Sequence, residues 1–287
     1  MPEAEAVPTL YDVSSVEHAE PAALGEAHES VPHEGGIHVE LAAEKLGSFA
    51  GIPITNTLLM SWIVMAILLT IGITVGRRAK LVPSRLQLMF EEAITFVRDF
   101  MTEVLEDEKV ARRFLPLLLT LFFFIFTANL LEFTPGIGSL TFFNGAEHVP
   151  LLRSMNTDLN VTLALTIICF IVIEIAGFAM LGLRYAGKFI NFSGHSIGER
   201  LLNFVVGLIE LVSELGRLVS YSFRLFGNIF AGEVLLAVVT YFAPYIVPVP
   251  LMSFELFVGF IQAAVFALLT LFFIKLAITD AHSGAAH

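Results

Sequence analysis

Long apolar segments alternate along this chain with short polar connections. The segment Thr57–Gly76 carries no charge over about 20 residues, which at a rise of about 1.5 Å per residue is enough to cross a hydrocarbon core of about 30 Å. Phe114–Phe133 and Asp158–Leu183 have the same character, and Thr157 with Asp158 offers a cap to the latter. These patterns predict three membrane-spanning helices.

Two longer apolar segments follow, Gly198–Tyr241 and Met252–Ile278. Pro244, Pro248 and Pro250 lie between them and predict a break in the helical path. Both segments exceed the length that a perpendicular crossing requires, so we expect two membrane-embedded helices that are strongly tilted or curved.

The connection between the first and second spans has a different pattern. In Ser84–Glu108, charged and apolar side chains alternate at helical spacing, which is typical of an amphipathic helix along a membrane surface. The predicted fold class is therefore an all-α polytopic membrane protein with about five membrane-embedded helices and one amphipathic surface helix. The composition agrees, because 56% of the residues are hydrophobic and 15% are charged, where soluble domains have about a quarter charged.

The net charge of −11 is concentrated ahead of the first apolar segment, where Lys45 alone opposes ten acidic residues. This pattern predicts an acidic, solvated and flexible external tail over residues 1–52. A membrane domain over residues 53–280 and a short C-terminal tail over residues 281–287 complete the predicted organisation. The negative sign disfavours nucleic acid as a partner.

Basic residues in the short connections predict the orientation. They cluster after the first and the third spans, whereas residues 134–157 carry Arg153 as their one basic residue and residues 243–251 carry no charge. We therefore expect the N-terminus outside and the C-terminus in the cytoplasm. The acidic N-terminal region also lacks the basic and apolar stretches of a cleaved signal peptide.

Six polar residues follow one another at steps of three or four along the first long segment, so they share one helix face. We call this face the polar row: Glu210, Glu214, Arg217, Tyr221, Arg224 and Asn228. A charge at the centre of a membrane helix costs about 2.5–3.5 kcal/mol on insertion scales. The polar row must therefore face protein or water.

The two ends of the polar row favour different interpretations. Glu210, Glu214 and Arg217 can pair with one another as a structural cluster near the cytoplasmic helix end, or line an aqueous path. Arg224 has no acidic residue three or four positions away on its own helix. A carboxylate from another helix or another chain would satisfy its charge.

Residues 223–233, FRLFGNIFAGE, resemble the signature of subunit a of bacterial F-type ATP synthases. The resemblance extends over most of residues 57–279 and includes Asn129–Glu132, Thr157–Thr162 and Gln262. It implies a non-catalytic, multi-pass stator subunit of the cell membrane, with no cofactor of its own. The implied partners are a ring of c subunits, b-type peripheral stalk subunits, other ATP synthase subunits and the lipid bilayer. The sequence has no phosphate-binding G-x-x-x-x-G-K-[ST] loop, which agrees with nucleotide chemistry in other subunits.

In that family, the arginine that matches Arg224 faces the carboxylates of the rotating ring. A guanidinium stays protonated, so Arg224 would favour the deprotonated form of a passing carboxylate. It would also repel a proton that could otherwise leak between two aqueous half-channels, each crossing part of the membrane. Proton flow would then be coupled to ring rotation, while selectivity between protons and sodium ions depends largely on the ring.

The resemblance also implies residues of the outer half-channel, namely Asn228, Glu233 and Gln262. Glu255 precedes Gln262 by seven residues, about two helical turns, so the two share a face. Glu255 stands where some relatives have a histidine. Glu233 and Glu255 are expected to relay protons or to make buried structural hydrogen bonds. Gln262 does not titrate and could position water or pack between helices.

Four further residues have two interpretations each. Asn129, Glu132 and Asp158 are near the predicted outer ends of their spans, where they could line the outer half-channel or act as caps and interface residues. Glu174 is well inside the third span and could face the inner half-channel or pair with a neighbouring basic residue.

Other function classes fit the sequence less well. The histidines are scattered and Cys169 is the one cysteine, so no metal site or intrachain disulfide is predicted. A secondary transporter would be expected to show an internal repeat and a substrate site at mid-membrane, and no such repeat is evident. A purely structural membrane anchor would leave Arg224 unexplained.

Overall fold

Five long apolar helices dominate the structure, a computed structural model that describes residues 43–49, 52–77, 85–133, 141–144, 147–150, 152–189 and 196–279. The described helices are α1 (Asn56–Arg77), α2 (Arg85–Leu105), α3 (Glu108–Glu132), α4 (Leu159–Leu181), α5 (Leu183–Ala186), α6 (Ile197–Phe242) and α7 (Pro248–Ile278). Of these, α1, α3, α4, α6 and α7 are long and apolar enough to cross a membrane. The five predicted membrane helices are confirmed.

The amphipathic helix and the second span are separate helices joined by a sharp turn. Helix α2 ends at Leu105, and Glu106 takes a positive φ of 59°. The Asp107 carboxylate then accepts a hydrogen bond from the backbone N–H of Lys109 at 2.7 Å, so α3 begins at Glu108 rather than at Phe114. Met101 and Leu105 of α2 are buried in a core cluster that α3, α4 and α7 complete.

The last two helices are continuous and longer than predicted. Helix α6 runs for 46 residues, about 69 Å at 1.5 Å per residue, and starts at a capping box formed by Ser196 and Glu199. Helix α7 starts at Pro248 rather than at Met252. Pro248 and Pro250 lie in its first turn, where a backbone N–H has no partner within the helix. These prolines therefore belong to the first turn of α7, besides marking the break after α6 that the sequence predicts.

Two small antiparallel hairpins accompany the helices. Strands β1 (Lys45–Phe49) and β2 (Ile52–Thr55) pair ahead of α1, and β3 (Thr141–Asn144) pairs with β4 (Glu147–Pro150) between α3 and α4. Strand β1 lies within residues 1–52, for which the sequence predicts a flexible tail, so regular structure begins earlier than expected. The rest of the acidic tail and the C-terminal tail lie outside the described residues.

A second core cluster forms where α3, α4, α6 and α7 meet. Tyr221 of α6 stacks on Phe266 of α7 with ring centroids 4.0 Å apart, and its hydroxyl hydrogen-bonds to the Phe266 carbonyl and to Thr270. Leu225 is buried in the same cluster. These contacts fix the rotation of α6 about its axis around position 224.

Candidate functional site

Arg224 is an exposed residue on a firmly packed stretch of helix. Tyr221, one turn before it, and Leu225, the next residue, are both buried against α7 and its neighbours. Within the part of the chain that the structure describes, Arg224 makes no ion pair and no side-chain hydrogen bond. The bundle thus presents an uncompensated cation on its surface.

Asn228 and Gln262 join the next turn of α6 to α7. The Asn228 Nδ2 atom donates a hydrogen bond to Gln262 Oε1 at 2.6 Å. Gln262 is buried and Asn228 is exposed, so the amide pair lies at the edge of the helix interface beside Arg224. The structure brings together these two residues of the predicted outer half-channel.

Glu233 is paired with an arginine from a distant part of the chain. The Arg153 Nη2 atom lies 3.2 Å from Glu233 Oε2, and the two side chains are 10% and 29% exposed. Arg153 precedes a 3₁₀ turn, Met155–Thr157, which packs against α6. The basic residue that stood out in the 134–157 connection therefore has a specific carboxylate partner.

Glu255 lies directly against the backbone of α6. A Cβ atom built on Gly232 would fall 1.6 Å from Glu255 Oε1, so the carboxylate occupies space that only a glycine leaves free. Glu255 is buried, and its Oε1 atom has no hydrogen-bond partner among the described residues. Glu132 likewise has a buried Oε2 atom without a described partner.

Asn129 and Asp158 make hydrogen bonds that join neighbouring helices and the 3₁₀ turn. Asn129 donates to the Gly259 carbonyl at 3.0 Å and accepts from Asn156 Nδ2 at 2.6 Å, so it joins α3, α7 and the 3₁₀ turn. Asp158 caps α4 through the Asn160 N–H and accepts from Thr57 Oγ1 of α1 at 2.8 Å. These contacts favour the cap and interface interpretations for both residues.

Glu210, Glu214 and Arg217 form an ion-pair cluster that includes a fourth residue. Lys188, which follows α5, places Nζ 2.6 Å from Glu214 Oε1 and 3.2 Å from Glu210 Oε1. The Arg217 guanidinium lies 2.9 Å from Glu210 and 3.2 Å from Glu214. Two cations and two carboxylates therefore compensate one another, and we call this set the four-charge cluster.

Glu174 has a hydroxyl partner instead of a basic one. The Tyr185 hydroxyl donates to Glu174 Oε1 at 3.1 Å, and no ion pair joins Glu174 to any basic residue in the described ranges. Of the two interpretations of Glu174, pairing with a basic residue is therefore not observed in the described ranges. Burial and the Glu174 carboxylate raise the pKa of Tyr185, which keeps its hydroxyl protonated as a donor.

Sequence reasoning missed three residues that shape the site, namely Arg153, Lys188 and Gly232. Arg153 had a signal, because it was the one basic residue of its connection. The sequence signal for Lys188 was limited to its position in a basic connection. The signal for Gly232 was limited to its place within the signature. Among the described residues, no group of three histidine, cysteine or acidic side chains could hold a metal ion.

The sequence of the chain matches a known protein family. The model of the family described as ATP synthase A chain matches residues 58–275. The chain is similar to ATP synthase subunit a of Syntrophobacter fumaroxidans, with 31% identity over 248 residues, which cover 86% of this chain and 94% of that relative.

Two further relatives have comparable similarity. ATP synthase subunit a of Moorella thermoacetica is 33% identical over 223 residues, covering 78% of this chain and 90% of the relative. The subunit a of Propionigenium modestum, which is described as sodium ion specific, is 32% identical over 255 residues, covering 88% of this chain and 84% of the relative.

Proposed function

This chain belongs to the ATP synthase A chain family, the ion-translocating subunits of the membrane sector, and we propose that Arg224 couples ion flow to rotation of a c-subunit ring. It is a multi-pass membrane protein and a non-catalytic part of the ATP synthase complex, whose chemistry is carried by other subunits.

One observation carries this proposal, the exposed Arg224 on a fixed helix face with no partner among the described residues. A lone guanidinium at membrane depth is costly unless another chain supplies a carboxylate. A ring of c subunits would supply such carboxylates in turn, and Arg224 would favour the deprotonated form of each one. The ring would then release its proton beside Arg224 and take up another after passing it.

The outer half-channel would run along the α6 and α7 interface through Asn228, Gln262, Glu233 and Glu255. The buried Glu255 Oε1 atom, which lacks a described partner, supports this path because a relayed proton or a water molecule would satisfy it. The buried Oε2 atom of Glu132 supports placing that residue on the same path. Asn129 and Asp158 would hold the surrounding helices in place from positions beside the channel.

The inner half-channel would open beside the four-charge cluster. Glu210, whose side chain is 34% exposed, would be its most accessible carboxylate, whereas Glu214 is 9% exposed. Arg217 and Lys188 would hold both carboxylates in place. Glu174 of α4, whose carboxylate accepts a hydrogen bond from Tyr185, would line the same path. This path would be separated from the outer one by Arg224.

We propose protons as the transported ion, relayed by Glu233, Glu255 and Glu132, while the carboxylates of the ring would set the selectivity over sodium ions. We also assign the N-terminus to the outside of the cell membrane and the C-terminus to the cytoplasm, following the basic connections. The exposed apolar face of α6, which includes Ile209, Val212 and Val219, would pack against the ring, and b-type stalk subunits would bind elsewhere.

Replacing Arg224 by alanine in the assembled complex tests the function. ATP-driven proton pumping into vesicles should be abolished while the subunit remains assembled, because no ion pair or side-chain hydrogen bond with a described residue is lost. The matched control is Arg112→Ala, which removes an exposed arginine paired with Glu108 and should leave pumping unchanged. Normal pumping by the Arg224→Ala complex would disprove the proposal.

A further inference from the structure

A cleft of about 510 Å³ opens between the start of α3 and the end of α4 and shares no residue with the polar row. Asp107, Lys109 and Arg113 line its polar part. The remaining walls are mainly apolar and include Phe114, Leu117, Val172, Ile175, Ala179 and Met180. The cleft therefore has an amphiphilic lining.

Two cations at the polar end of the cleft have no ion-pair partner among the described residues. Lys109 and Arg113 are exposed and one helical turn apart, so they lie on one face of α3. Neither side chain makes an ion pair with a residue that the structure describes. Asp107 is occupied as the N-cap of α3, and Arg112 beside it is paired with Glu108 at 2.7 Å. The positive charge of Lys109 and Arg113 is thus left for a ligand.

The depth of the cleft fits one leaflet of a membrane. From Lys109 to Leu117 the helix rises eight residues, or about 12 Å, against about 15 Å for half of a hydrocarbon core. The polar end lies where α3 begins, in a connection rich in basic residues, and basic connections are typical of the cytoplasmic side. The apolar walls then lie at the level of the acyl chains.

We propose that this cleft binds an anionic phospholipid of the cytoplasmic leaflet. Its phosphate would contact Lys109 and Arg113, and one acyl chain would lie between Leu117 and Ile175. Basic pockets between membrane helices on the cytoplasmic side are suited to anionic head groups, because that leaflet carries the negative lipids. An apolar helix from a partner subunit would fit the walls but would leave both cations uncompensated.

The test uses the intact ATP synthase complex reconstituted into phosphatidylcholine vesicles that contain a trace of phosphatidylglycerol with a photoreactive acyl chain. Mass spectrometry of the labelled subunit should place the label on the α3 and α4 residues of the cleft. The double variant Lys109→Gln with Arg113→Gln should reduce this labelling roughly 30-fold at limiting probe, since each basic residue near the surface contributes about fivefold. Arg112→Gln is the matched control and should label like the unmodified complex.

A second variant separates the acyl-chain site from the charge. Ala179 is exposed on the cleft wall, so Ala179→Phe should fill the cleft and reduce labelling without disturbing the core. Photoreactive phosphatidylcholine should label the cleft weakly and respond little to the charge variants. Equal labelling by the two lipids, or full labelling of the double variant, would overturn the proposal. So would a crosslink between an Ala179→Cys variant and a stalk subunit in the native membrane.

Discussion

Glu255 and Gly232 bring α7 and α6 together with no side chain between the carboxylate and the backbone. A Cβ on Gly232 would fall 1.6 Å from Glu255 Oε1 and 2.4 Å from its Cδ. Because Oε1 is buried without a described partner, the position of this carboxylate depends on the absence of a side chain at residue 232. Gly232 is therefore a positioning residue for the proposed relay.

Gly232→Ala should lower passive proton conduction through the membrane sector by about tenfold or more, because a displacement of about 1 Å of a working group has effects of this size. Alanine favours a helix over glycine by about 1 kcal/mol, so lost helix stability would not explain a decrease. Conduction should be measured in vesicles stripped of the catalytic subunits and normalised to the amount of this subunit.

Gly72→Ala is the matched control, since a Cβ there meets nothing within 4 Å. It should conduct like the unmodified subunit. If Gly232→Ala also conducts normally, Glu255 has room to move or takes no part in the relay.

The four-charge cluster predicts a stability effect that depends on Lys188. Lys188→Met would leave Glu210 and Glu214 with Arg217 as their one remaining cation in the cluster. Breaking a fully buried pair costs about 3–5 kcal/mol, and because Lys188 is 18% exposed we expect about 2 kcal/mol. Unfolding of the purified complex in a detergent titration would measure the loss.

Two comparisons make this test specific. Lys275→Met removes an ion pair with Glu106, whose side chain is 78% exposed, and should cost less than about 1 kcal/mol. Adding Glu214→Gln to Lys188→Met restores a balance of one cation and one carboxylate, so it should recover part of the lost stability. A Lys188 variant as stable as the Lys275 variant would rule out a structural role for the cluster.

Local periodicity was enough to predict the helices and the polar row. An apolar run of about 20 residues identifies a membrane helix by its own length, and steps of three or four place Arg224 and Asn228 on one face without any tertiary information. The absence of an acid near Arg224 in sequence was also a local property. The structure agrees with that inference among the residues it describes.

The partners of Glu233 and Glu214 from outside α6 could not be predicted, because they come from remote parts of the chain. Arg153 lies 80 positions from Glu233, and Lys188 lies 26 positions from Glu214. The contact of Glu255 with Gly232 depends on how closely two helices approach, which composition does not determine. The hairpin β1–β2 escaped prediction for a similar reason, since its short strands are defined by pairing with each other.

A carboxylate can be introduced one helical turn from Arg224, to test whether its function requires that it has no ion-pair partner on its own helix. Ser220 is exposed and precedes Arg224 by four residues, with no side-chain hydrogen bond in the described part of the chain. A glutamate four residues ahead of a basic residue is the favourable orientation for a helical ion pair. Ser220→Glu would therefore give Arg224 a permanent partner that competes with the ring carboxylates.

ATP-driven pumping by Ser220→Glu complexes should fall at least about twofold, which is the effect of an exposed helical ion pair. The decrease should be larger where the ring excludes water, because the ion pair is stronger there. Ser220→Gln has the same size without the charge and should pump close to normally. The comparison of glutamate with glutamine at position 220 separates charge from steric effects against the ring. If the two variants pump equally well, Arg224 does not need to be free of a local carboxylate, and its coupling role would have to rest on some property other than an available charge.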